Sequence, residues 1–204
     1  MHLRPAVVCI YGNYLLVRLR ARCIKSDVGS SPPPFKCVVI RMPALGRRRK
    51  KVCFVCDRIE MIKKGTNPYF VKELETGYVV IGDHQHFYGY TLFLYKNHNY
   101  TELFQLDINE RTKFMQEMTI VAEAVSKAFN AEKMNYELLG MGDAHLHWHL
   151  FPRRQGDIEN YGNNGKGPAW CYPMEKIYSD DNRPSKEELE KMKQKLLTEL
   201  DNLL

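Results

Sequence analysis

"GDAHLHWHLFPRR", residues 142–154, places three of the chain's seven histidines at alternate positions, 145, 147 and 149. The other four stand apart at 2, 84, 86 and 98. On a β-strand alternate side chains share a face. The stretch therefore predicts a strand with His145, His147 and His149 on one side. Leu146, Trp148 and Leu150 point to the other side, into a core. If the strand reaches back far enough, Asp143 joins the histidine face. Successive histidines stand about 6.6 Å apart along such a strand. Fold stability asks for no such row, since histidine is a mediocre strand former. Two chemical readings fit. The row binds a metal directly, because imidazole suits zinc and iron. Alternatively one imidazole is a nucleophile toward phosphorus, and its neighbours orient it and hold an anion.

The surrounding sequence supplies the frame. "YVVIGD" (78–83) and "YTLFLY" (90–95) are rich in β-formers and read as a hairpin around "HQHFYG". A helix follows, capped by Asp107 or Asn109. Phe114, Met118, Val121, Val125 and Phe129 recur along it at helical spacing and form its core stripe. "NYELLGMGD" reads as a strand running into a glycine-rich turn. "HLHWHLF" is the last strand, and Pro152, which has no amide hydrogen, is expected to end it. Residues 155–183 are rich in Gly, Asn, Pro and Tyr and read as loop. Ser185 and Glu188 make a capping box for a final helix. Leu189, Met192, Leu196, Leu200 and Leu203 give that helix one apolar face for the parent domain or a second subunit.

The 204 residues suit one domain with an appendage. A formal charge of +6 invites a nucleic-acid reading, but the charge is local. Residues 1–51 carry 12 Lys/Arg and one acid, Asp27, whereas residues 52–204 carry 18 Lys/Arg against 23 acids. A global basic footprint is excluded. The first 51 residues, with "GSSPPPF" and the run "RRRKK" (47–51), read as a basic, poorly ordered extension. Nucleic acid is not an expected partner, except through that run. No apolar stretch has the length of a membrane span, and no signal-peptide pattern is present. The six cysteines are too sparse for a disulfide scaffold. Cys53-Phe-Val-Cys56 reads as metal or redox chemistry in a reducing, cytoplasmic compartment.

From about Cys53 to Arg154 the sequence resembles the histidine triad (HIT) superfamily of nucleotide hydrolases and transferases. The residues that carry the likeness are Cys53-x-x-Cys56, the pair "YVVIGD"/"YTLFLYKNH", the long helix and "HLHWHLFPRR". It looks closest to bacterial HIT proteins labelled diadenosine tetraphosphate hydrolase-like. The resemblance implies an α+β fold: an antiparallel sheet, a long helix packed on it, and a C-terminal helix. It implies a HIT domain over 52–155, completed by the loop and helix of 156–204, and a homodimer. The implied chemistry is attack by His147 on the α-phosphate of a nucleotide derivative, through a covalent nucleotidyl-histidine. The substrate would be a dinucleoside polyphosphate or an adenylylated small molecule. His149 would hold the phosphate and Asp83 the ribose hydroxyls. Cys53, Cys56, His98 and His145 would bind a structural zinc, with no organic cofactor.

Two other readings remain at this level: a metal-dependent hydrolase using His145, His147 and His149 as ligands, and a non-enzymatic nucleotide- or RNA-binding module. Some positions depart from the family's pattern. Tyr88-Gly89-Tyr90 stands where many members have Pro-Gly-His. The loop before the triad is shortened to "GMGDA", so Asp143 either takes over a leaving-group contact or caps the turn. His84 and His86 read as exposed turn histidines. Trp170, in "GPAWCYP", is a candidate wall of the substrate pocket.

Overall fold

The computed structural model describes residues 53–204 and, before them, only the strands β1 (Cys9–Tyr11) and β2 (Tyr14–Leu16). β1 and β2 pair antiparallel, with Ile10 opposite Leu15. The chain divides into two units, Met1–Lys51 and Val52–Leu204. The run 47–51 lies outside the described residues.

The second unit is built on a five-stranded sheet in the order β3-β4-β5-β7-β6, antiparallel at every junction. Its strands are β3 (Phe70–Glu73), β4 (Gly77–Ile81), β5 (Thr91–Tyr95), β6 (Lys133–Leu138) and β7 (His147–Arg153). Every residue of β4 and β5 is buried, because both faces of the sheet are covered. On one face lie α2 (Ile108–Phe129) and α4 (Lys186–Leu203). Asp107 caps α2 by accepting from the Asn109 and Glu110 amides. The stripe Phe114, Met118, Val121, Val125 and Phe129 meets Val79, Ile81, Phe93, Trp148 and Leu150 there. Each such side chain contributes about 1.5–3 kcal/mol by leaving water. Ser185 caps α4 through the Glu188 amide. Leu189, Met192, Leu196 and Leu200 join the same core, so α4 packs on its parent domain.

The opposite face carries α1 (Phe54–Lys63) and the C-terminal segment. Val55 and Ile59 of α1 pack with Tyr78, Val80, Leu92, Leu94 and Phe151, joined by Ile158, Ala169 and Ile177. This is the face toward which His147 and His149 point. The segment after β7 is more ordered than its composition suggests. It includes α3 (Met174–Ile177) and two 3-10 turns, Ala169–Cys171 and Asp180–Asn182.

Pro152 does not end β7, which continues to Arg153. The Arg153 carbonyl accepts from the Glu132 amide on the β6 side. The adjacent Pro152 nitrogen therefore faces the β5 flank, where pairing has already ended at Thr91–Leu150. A missing donor costs no ladder bond there. Gly89, between Tyr88 and Tyr90, has φ +96, and a Cβ would fall 2.4 Å from the Phe129 ring. Both the backbone angle and the close approach require glycine.

Candidate active site and metal centre

β7 begins at His147, so His145 lies in the turn before it rather than on the strand. His145 is nonetheless buried, and Leu146, Trp148 and Leu150 enter the α2 core as the alternation predicts. The three imidazoles have three different partners. His145 Nε2 is 2.7 Å from the Tyr95 carbonyl oxygen. His147 Nδ1 is 2.7 Å from the His145 carbonyl oxygen. His149 Nδ1 is 2.6 Å from the Tyr90 hydroxyl. A carbonyl oxygen can only accept. His145 therefore carries its hydrogen on Nε2 and has its lone pair on Nδ1, while His147 is the reverse.

The free Nδ1 of His145 belongs to a cluster. It lies 3.4 Å from Cys56 Sγ, 3.7 Å from Cys53 Sγ and 3.4 Å from His98 Nδ1. Cys56 Sγ is 3.0 Å from His98 Nδ1. All four ligand atoms lie within 4.8 Å of one another. Across the edge of a tetrahedral zinc site, donor atoms stand about 3.3–3.8 Å apart, given metal distances of about 2.0–2.3 Å. The residues fit a metal ion with two thiolates and two imidazoles. The Tyr95 carbonyl supplies the outer partner that fixes a ligating ring's tautomer. Burial and the neighbouring Cys53 push the Cys56 thiol up to about 11, so a cation is what this pair needs in order to ionise. Cys53 also caps α1, its sulfur accepting from the Cys56 amide. Among the described residues no other group of three or more such side chains forms a metal cage. The three triad histidines do not converge on one point.

Beside the cluster opens a cleft of about 550 Å³, lined by α1, β5, β7 and the loop after β4. His147 and His149 lie in it, with Phe54, Leu92 and Leu94 as apolar walls. Burial, and then the charge of His147, hold His149 down to about 3, so this ring is neutral. Asp83 lines the cleft, and Arg58 grips its carboxylate at 2.8 and 2.6 Å. Arg58 escapes a sequence reading because helix α1 alone brings it there. Asp143 lines the cleft and accepts from the Phe54 amide at the start of α1, 3.2 Å away.

His84 and His86 are not exposed turn residues. His86 stacks on Tyr172 at 4.1 Å and its Nε2 meets the Asp157 carbonyl, 2.9 Å away. It fastens the C-terminal segment to the loop after β4. His84 lies edge-on to Tyr178 at 5.4 Å, and its buried Nε2 has no hydrogen-bond partner among the described residues. Trp170 packs edge-on to His149 at 5.8 Å, and its indole N–H donates to Glu137. Tyr178, from the same segment, lines the cleft itself.

Residues 70–156 match the family model described as HIT domain. Over that stretch the chain is similar to a HIT domain. Solved structures agree in fold. A histidine triad nucleotide-binding protein from Sulfolobus tokodaii aligns with a TM-score of 0.54 and 20% identity over 72% of this chain and 93% of its own. Histidine triad proteins from Bradyrhizobium japonicum and Marinobacter aquaeolei give 0.52 and 0.51. Their identities are 20% and 21%, over 64% and 66% of this chain and 89% and 90% of theirs. No curated protein matches the sequence. The HIT match includes Asp83, His98 and all three triad histidines, whereas Cys53, Cys56 and Arg58 precede it. No helix among the described residues is long and apolar enough to cross a membrane.

Proposed function

We propose that the protein is a nucleotide hydrolase or nucleotidyl transferase that acts at the α-phosphate of a nucleotide derivative through His147. The observation that carries this reading is the His147 Nδ1 bond to the His145 carbonyl, in a ring that borders the cleft. With its hydrogen on Nδ1, the ring has its lone pair on Nε2, ready to attack phosphorus. Attack forms the Nε2–P bond and breaks the bond from phosphorus to the leaving group. Water then displaces His147 and releases the nucleoside monophosphate, whereas an acceptor hydroxyl displaces it by taking the nucleotidyl group as a phosphodiester. His149 donates to the phosphate oxygens as charge develops on them.

Asp83 accepts the ribose hydroxyls. The Arg58 fork occupies one side of each of its oxygens and leaves further lone pairs for a ligand. Dinucleoside polyphosphates and adenylylated small molecules are the substrate classes of this reading. Zinc in the Cys53, Cys56, His98 and His145 cluster is structural, because four protein ligands close the coordination sphere. It would pin the start of α1 to the turn that leads into β7. A homodimer belongs to the same reading. β6 is an edge strand, and Tyr136 on it and Leu139 just beyond it are exposed. The cytoplasm is the compartment that keeps such thiols reduced.

The test is mass spectrometry of the intact protein mixed with a panel of nucleotides. A nucleotidyl adduct on His147 is expected, lost in His147→Ala together with turnover, while metal content and fold persist. Undiminished turnover by His147→Ala would sink the nucleophile assignment.

A further inference from the structure

Tyr90 stands immediately before β5, 5% exposed, with its hydroxyl 2.6 Å from His149 Nδ1. Its ring stacks on Phe151 at 4.4 Å with an interplanar angle of 4°. It is also coplanar in orientation with the His149 ring at 6.0 Å. On the other side lies Gly82, where a Cβ would fall 2.2 Å from the Tyr90 ring. The phenol is thus fixed in position by its neighbours.

Its hydrogen has one place to go. Among the described residues, His149 Nδ1 is the hydroxyl's sole hydrogen-bond partner. A hydrogen on Nδ1 would leave the buried phenol O–H without an acceptor, at a cost of about 1–3 kcal/mol. Burial raises the Tyr90 phenol well above its ordinary range, so the hydrogen stays on it.

We infer that Tyr90 is a positioning residue whose hydroxyl donates to His149 Nδ1 and so puts that ring's single hydrogen on Nε2, as a donor to phosphate oxygens in the cleft. The inference rests on the reaction proposed above. Its consequence is a one-way division of labour between two neighbouring imidazoles, whose ring centres are 4.7 Å apart. A carbonyl behind His147 leaves a lone pair on Nε2, and a phenol behind His149 leaves a hydrogen on Nε2. A neutral imidazole without a fixed partner adopts either tautomer, and two lone pairs facing a phosphate would repel it. Tyr90 occupies the position at which the sequence departs from Pro-Gly-His. The departure replaces a group that can donate or accept with a phenol buried against a single acceptor.

The test uses the full chain labelled with ¹⁵N-histidine. Long-range proton–nitrogen spectra should show His149 bare at Nδ1 and protonated at Nε2, with His147 reversed. Tyr90→Phe keeps the ring and its stacking but removes the donor. Its His149 signals should move toward averaging between tautomers, while those of His147 stay in place. kcat should fall about 10–100-fold, as for loss of an outer partner of a functional histidine, with KM little changed. Wild-type protein with the hydrogen on His149 Nδ1 would overturn the inference. So would a Tyr90→Phe variant with unaltered spectra and turnover. The wild-type spectrum decides the matter even if the variant fails to fold. Absence of a nucleotidyl adduct on His147 would overturn the reaction instead, and leaves the tautomer result to be judged by itself.

Discussion

Acid should weaken this protein through His149, by an amount the site geometry sets. In the unfolded chain a histidine titrates near 6.5, whereas burial and the charge of His147 hold His149 down to about 3. Between these values the unfolded chain binds a proton that the folded protein refuses. Stability therefore falls as pH falls through the window, by about 1.4 kcal/mol per pH unit. By pH 4 the contribution lost is about 3 kcal/mol, and above about pH 7 none is lost. His84 and His145 are also depressed by burial, so the wild-type curve alone is ambiguous. The comparison needed is with His149→Gln, whose side-chain oxygen can still accept from Tyr90. Urea titrations from about pH 7 to about pH 4 should show the variant losing about 3 kcal/mol less than the wild type. Parallel pH profiles for the two proteins would refute the reasoning, because His149 would then carry the same protons folded and unfolded.

Other consequences are checked more simply. Cys53→Ser/Cys56→Ser should lower bound zinc from about one per chain to none by elemental analysis, and full retention would favour a triple-histidine site instead. Arg58→Leu releases the Asp83 carboxylate from its fork and should weaken binding of a nucleoside monophosphate about tenfold by calorimetry; an unchanged Kd would remove Asp83 from the binding role. Glu117, 4% exposed, accepts from the Glu75 and Thr76 amides, each at 2.9 Å, and from the Thr76 hydroxyl. Glu117→Leu strands these donors in the interior and should destabilise the protein by on the order of 3 kcal/mol in denaturant unfolding, with an unshifted midpoint as the contrary result.

Local periodicity made much of this protein readable from its sequence. Two-residue alternation put Leu146, Trp148 and Leu150 opposite His147 and His149, and the structure buries them against α2. The 3.6-residue stripe from Phe114 to Phe129 and the leucine face of α4 were equally plain, because burial selects apolar side chains at the period of the element. Short elements left no such mark. α1 has only Val55 and Ile59 buried, and β3 has four residues with no alternation of burial, so neither stands out from its surroundings.

What the sequence determined by itself is the face of the triad strand and the chemistry its residue types can perform. It could not say how far the row of histidines stays on the strand, and His145 turns out to precede it. Tertiary structure alone decided which atom of each imidazole is available. That choice depends on a carbonyl from β5, a carbonyl from His145 itself, and the Tyr90 phenol, 59 positions away. It also brought Arg58 onto Asp83 and Cys56 within 3.0 Å of His98. A hydrogen bond couples atoms by distance, not by spacing along the chain. Three histidines that look equivalent in "HLHWH" therefore acquire three different hydrogen-bond partners only after the sheet has closed around them.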